Sequence, residues 1–253
     1  MSDLTLTRNG HVAQLRWSRP PHNHVDPDFM RRLADQLDAL GADPDCRVVL
    51  LSAEGKSFCA GADFSGASNG ADIDPAPFYE QAMRLFHTRK PMVAAVHGAA
   101  IGAGLGLALV ADFRVAGPST RLSANFVRLG FHPGFGLSET LPRLIGAQRA
   151  ATLLYTGRRI NGATGLALGV VDELADSDEA VLTRAMALAQ ELAGAAPLAL
   201  QSTRATLRQG LAEAVRAVNQ RELEVQRQQF KMADFREGIA ATAERREPVF
   251  KGA

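Results

Sequence analysis

A chain of 253 residues, 46% hydrophobic and 22% charged, can bury one sizeable core, or one core with a small helical appendage. The formal net charge is +1 and basic residues are interleaved with acidic ones, so no continuous basic stripe exists to hold a phosphate backbone, which argues against nucleic acid as a partner. Cys46 and Cys59, without CxxC spacing, suggest neither a disulfide framework nor a thiolate zinc site, and the polar start MSDLTLTRNG lacks the pattern of a secretory signal; a cytoplasmic protein is expected.

Leu4 to Leu6 and Val12 to Trp17, joined at Asn9-Gly10, alternate in the manner of a hairpin, which Pro20-Pro21 ends. His22, His24 and Asp26 follow, a group able to chelate a metal. No further ligand of suitable spacing supports that, so no metal is expected. From Asp28 to Leu40 the apolar residues Phe29, Leu33, Leu37 and Leu40 recur at helical spacing before Gly41. Arg47 to Ser52 then reads as a buried strand.

After it comes Ser57-Phe58-Cys59-Ala60-Gly61-Ala62-Asp63. The small residues allow a ligand against the main chain, with a backbone N–H aimed at it, and a plain structural loop explains them equally. Pro91 to His97 and Asp112 to Ala116 are further strands, with glycine-rich Gly98 to Gly106 and a short helix between them. Ala99 to Ala111, the longest apolar stretch, is broken by glycines and too short to span a bilayer, so no membrane is expected. Leu107 stands where Gly102-Ala103-Gly104 would need the third glycine of a dinucleotide fingerprint, and a P-loop ending is missing. The Ala103 N–H falls at the helix start, where unpaired donors and the macrodipole suit an oxygen that becomes negative.

Beyond Gly146 the pattern turns helical, around Ala147 to Thr156, Ser177 to Ala193, Pro197 to Leu211 and Ala212 to Phe230, with Glu222 continuing an apolar stripe in the last. The expected organisation is an α/β core over residues 1–200 carrying the site, and a helical region over 201–253 that packs on another subunit or covers its own core.

The run Ser52-Ala53-Glu54-Gly55-Lys56-Ser57-Phe58-Cys59-Ala60-Gly61-Ala62-Asp63, then Ala95-Val96-His97-Gly98-Ala99-Ala100-Ile101-Gly102-Ala103-Gly104, resembles the crotonase superfamily of enoyl-CoA hydratases and isomerases. The likeness continues through Ala111-Asp112, Leu141 to Gly146, Thr156 to Ile160, Gly169 to Asp172, Asp234 to Gly238 and Glu244 to Phe250. It implies a spiral of repeated β/β/α units with a C-terminal helical trimerisation region, assembled as a homotrimer or a dimer of trimers. It also implies an acyl-CoA substrate, with coenzyme A carried on the substrate and no separate cofactor. The resemblance places the thioester oxygen on the N–H groups of Ala62 and Ala103, the substrate against Ala60, Gly61, Asp63, Gly102 and Phe126, and the coenzyme A phosphates near Lys56 and Arg245.

Carried over residue by residue, the two glutamates of the hydratases fall on Gly106 and Phe126, neither of which moves a proton. An aspartate used by other branches falls on Gly134. His132, in a loop the resemblance sets beside the acyl pocket, and Glu139, a turn later, are the remaining acid/base candidates, each with a bland alternative as a loop or helix-start residue. The room at Gly106 suits an ordered water or a small anion such as bicarbonate, as in a related branch. Phe126, Phe131 and Phe135 around the expected pocket favour an aromatic or branched acyl group. Three functions follow: an enzyme that stabilises a thioester enolate, a non-catalytic acyl-CoA-binding homologue, or a hydrolase of β-diketone type.

Overall fold

A computed structural model describes residues 3–63 and 73–253. Strands β1 (Leu4–Asn9) and β2 (Val12–Trp17) form the hairpin, and since Asn9 pairs with Val12 the turn itself is Gly10-His11, one residue later than the sequence signal suggests. Helix α1 (Pro27–Ala42) is capped by Asp26, whose carboxylate accepts the Phe29 N–H at 2.7 Å, and it buries the stripe of Phe29, Leu33, Leu37 and Leu40. Strand β3 (Val48–Ala53) is buried at every position, as its unbroken apolar run requires of a central parallel strand.

Then follow α2 (Ala76–Arg84), β4 (Met92–Val96), β5 (Ala99–Ile101), α3 (Ala103–Val110), β6 (Phe113–Ala116) and β7 (Arg121–Ser123). The remainder is α4 (Leu137–Ile145), α5 (Ala147–Thr156), β8 (Ile160–Asn161), α6 (Gly162–Leu168), β9 (Glu173–Leu174), α7 (Val181–Ala193), α8 (Pro197–Leu207), α9 (Leu211–Gln229) and α10 (Ala233–Glu244). One sheet runs β1-β2-β3-β4-β6-β9, parallel after the first pair, and a small second sheet runs β5-β7-β8. β4 then β5, and β6 then β7, lay a strand in the large sheet and then one in the small sheet, which is the repeat of a β/β/α spiral.

The large sheet buries both faces. Val48, Leu50, Val93 and Ala95 meet Ala185, Leu188 and Ala189 of α7 on one side. Val49, Leu51, Ala94 and Val96 point to the main core with α1, α2 and α3 on the other. The period-2 alternation of a strand gives each helix layer its own set of residues. Asp112 ties α8 to this frame: it accepts from Met92 N at 2.8 Å, Arg204 Nε at 2.7 Å and Arg208 Nη1 at 2.8 Å. Charged hydrogen bonds of this kind contribute about 1.5–3 kcal/mol each.

The helices differ from the sequence reading at their ends: α7 starts at Val181 rather than Ser177, and α8 stops at Leu207. Helix α9 packs against α2 and α4 of its own chain, and Phe230 and Phe235 join the main core, so the C-terminal region covers its own subunit. Glu222, on the apolar stripe, is buried because its carboxylate accepts from Gly136 N at 2.7 Å, Ser138 N at 3.0 Å and Asn219 Nδ2 at 3.1 Å. Among the described residues no helix is long and apolar enough to cross a membrane.

Candidate active site

Two single parallel bridges bring the informative loops together. Cys59 pairs with Ala100, through Cys59 N to Ala99 O at 2.9 Å and Ile101 N to Cys59 O at 3.1 Å. Val25 pairs with Ala62, through Val25 N to Gly61 O and Asp63 N to Val25 O, both at 3.0 Å. Three residues beyond the first bridge the two loops reach Ala62 and Ala103, and both alanines line one cavity of about 430 Å³. The bridging bonds use the amides of residues 25, 59, 63 and 101, and Gly102 N donates to Ser123 O at 2.8 Å. The N–H groups of Ala62 and Ala103 donate to no acceptor among the described residues.

Glycine makes this approach possible. Gly102 turns the chain into α3 at φ 56°, in the left-handed region, and Ala103 is therefore the first helical residue. A Cβ on Gly104 would lie 2.0 Å from the Cys59 carbonyl oxygen, so the close contact of the two loops depends on its having no side chain. The Cys59 thiol between them is fully buried, and burial pushes it up to about 12, which removes it as a nucleophile near neutral pH.

The cavity wall contains Ala60, Gly61, Asp63, Gly102 and Phe126 among the residues named from the sequence. Asp63 is exposed. Lys56 is exposed and outside the wall, with its carbonyl packed on Gly98. Arg245 is exposed, two residues past Ala243 of the cavity rim, where it ends α10 at φ 58°. The floor is aromatic: Phe126 and Phe131 meet edge to face at 5.4 Å, and Phe131 meets Phe230 at 5.0 Å.

The two acid/base candidates lie elsewhere. His132 lines a second concavity of about 630 Å³ that shares the Phe131 wall, and its Nδ1 lies 2.7 Å from the Pro133 carbonyl. Glu139 sits in the first turn of α4, partly exposed, 3.8 Å from Arg143, and lines neither concavity. The bland reading of a helix-start carboxylate describes it. Of the histidine pair, His24 is on the cavity wall while Asp26 is taken up by the α1 cap and by Arg19.

Nor is there room at Gly106. A Cβ there would lie 2.5 Å from Cγ of Phe135, whose buried ring fills the place considered for a water or an anion. Phe135 accordingly stands behind Gly106 rather than on the cavity wall. Residues that the sequence reading missed are Asn125, next to the Phe126 position, and Tyr79 of α2, both on the wall.

A β/β/α spiral that sets two unpaired main-chain donors, one at a helix start, on a shared cavity is the crotonase fold. The enoyl-CoA hydratase/isomerase family model matches residues 7–253, and the chain belongs to that family. It is 32% identical to a probable enoyl-CoA hydratase of Bacillus subtilis (strain 168), over 100% of both chains. It is 33% identical to a carnitinyl-CoA dehydratase of Salmonella paratyphi B, with 98% of each covered. Among solved structures, an enoyl-CoA hydratase/isomerase from Pseudoalteromonas atlantica T6c superposes with a TM-score of 0.89 at 29% identity, over 99% of this chain and 100% of that one.

Proposed function

We propose that this chain is an acyl-CoA enzyme that holds a thioester carbonyl oxygen between the N–H groups of Ala62 and Ala103 and stabilises the enolate formed from it. The observation that carries the reading is the pair of main-chain donors left unpaired on one cavity. As negative charge gathers on the oxygen, preorganised donors gain strength without having to reorganise, and one such donor contributes about 3 kcal/mol. Ala60, Gly61 and Gly102 are small enough for the thioester to lie on the main chain, Asp63 and Phe126 flank it, and the exposed Lys56 and Arg245 are assigned to the coenzyme A phosphates.

The two-glutamate hydration mechanism has no side chains here to run on, with Gly106 and Phe126 in those places. Isomerisation, decarboxylation and C–C cleavage all pass through the same enolate. The phenylalanine-lined floor supports an aromatic or branched acyl group. The same absence of glutamates favours a second reading, in which acyl-CoA is bound and not transformed. For the assembly we propose a homotrimer or a dimer of trimers through the C-terminal region, supported by the exposure of Leu207 on α8 and of Val249 and Phe250 beyond α10.

The reading is tested by calorimetric titration of the full chain with butanoyl-CoA, repeated in the presence of free coenzyme A. Saturable binding that coenzyme A displaces is the expected result. A β-diketone hydrolase would bind neither, and that outcome would remove the thioester from the account.

A further inference from the structure

The cavity wall includes a polar group, the Tyr79 hydroxyl, that neither the resemblance nor the sequence motifs assign. Gly134 lacks the side chain that other branches use, and a Cβ built there would lie 1.9 Å from the hydroxyl oxygen of Tyr79 and 2.6 Å from Nε2 of Gln226. A phenol delivered by α2 therefore stands where a side chain from position 134 would begin. Tyr79 lines the cavity, and the residue is only 6% exposed.

The hydroxyl is held in a defined sense. Gln226, on α9 and fully buried, donates through Nε2 to the His132 carbonyl at 2.7 Å. Only the nitrogen side of an amide can make that bond, so the orientation of Gln226 is fixed, and the same nitrogen lies on the side of the phenol. Its Oε1 is buried without a partner, which confirms that it does not take the Tyr79 proton. The Gln226 amide thus turns a donor and not an acceptor toward the phenol, and no oxygen among the described residues accepts the Tyr79 O–H. Burial, with the nearby Glu222 carboxylate adding to it, pushes the Tyr79 phenol above its usual range and keeps it a donor.

We infer that Tyr79 is a specificity-determining residue of the acyl site: set beside the Gln226 amide in the space left by Gly134, its hydroxyl donates a hydrogen bond to an oxygen atom carried by the acyl group. The inference rests on the thioester reading above and adds to it a substrate class, acyl groups bearing a hydroxyl, oxo or carboxylate oxygen. The surroundings sharpen the preference. Phe78, Phe126, Phe131 and Leu129, also on the wall, offer an oxygen no partner, so a substrate oxygen set among them gains a bond only where a polar wall residue such as Tyr79 reaches it. A plain hydrocarbon acyl group leaves the phenol unpaired instead, and both mismatches cost binding.

The test compares matched thioesters by calorimetry on the full chain: 3-hydroxybutanoyl-CoA, each enantiomer, against butanoyl-CoA, and 4-hydroxybenzoyl-CoA against benzoyl-CoA. The wild-type chain is expected to prefer the oxygenated member of at least one pair by about tenfold. In Tyr79→Phe, which removes a single oxygen atom, that ratio is expected to fall to near unity. Equal binding within both pairs, or a preference that survives Tyr79→Phe, overturns the role of Tyr79 while leaving the thioester reading in place. Failure of all the thioesters to bind overturns both.

Discussion

Supplied with 2-butenoyl-CoA, this enzyme is expected to bind it and to leave the double bond unhydrated. Hydration needs one group to activate water and another to deliver a proton to carbon, and positioned acids and bases contribute about 10²–10⁴-fold each. Gly106 offers no such group, and solvent cannot replace it, because the Phe135 ring lies 2.5 Å from where a Cβ would stand. Phe126 is 4% exposed and packed edge to face on Phe131, so the second place is apolar as well. The same packing makes Gly106→Glu an ineffective repair unless Phe135 is cut back too. Persistence of the ultraviolet absorbance of the conjugated thioester over hours, with binding shown by calorimetry, is the expected observation. Its loss at a rate ordinary for an enzyme would mean that an acid and a base are present on groups not identified in the cavity.

Ala103→Pro is expected to lower kcat/KM by about 10²–10³-fold on whichever thioester the wild-type chain turns over. The variant removes the main-chain donor and sets the ring Cδ where its hydrogen stood, so the carbonyl oxygen loses both the bond and the room to make it. Ala103 is the first residue of α3, the helix position where proline is best tolerated, since the amide there has no helical acceptor to lose. The preceding residue is Gly102, with no Cβ to clash with the proline ring. An unchanged melting temperature beside a loss of this size assigns the loss to the Ala103 N–H position and not to unfolding. Undiminished turnover would show that the Ala103 amide does not carry the oxyanion.

What the sequence made legible follows from how local each signal is. β3 and β4 were readable because a strand buried on both faces must be apolar without interruption. The turn into α3 was readable because a left-handed residue before a helix calls for glycine, and Gly102 is one. The pairing of Cys59 with Ala100, which brings Ala62 and Ala103 to the same cavity, had no local signal, and only resemblance suggested it.

His132 stands off the main cavity for a geometric reason. It follows Phe131, which lines the main cavity, but the chain turns so that the histidine faces the neighbouring concavity, and Phe135, at φ 63°, sends its ring behind Gly106. Tyr79 escaped notice because its meaning depends on Gly134 and Gln226, each on a different element and distant in sequence. Glu222, which continues an apolar stripe in the sequence, is a satisfied carboxylate that accepts from Gly136 N and Ser138 N on the facing loop.

The account is tested most directly by the infrared spectrum of butanoyl-CoA isotopically labelled at the thioester carbonyl, recorded free and bound. Two convergent amide donors must draw electron density onto the oxygen, so the carbonyl stretch is predicted to move to lower frequency on binding and to recover part of the way in Ala103→Pro. A bound carbonyl that absorbs where the free one does would contradict it.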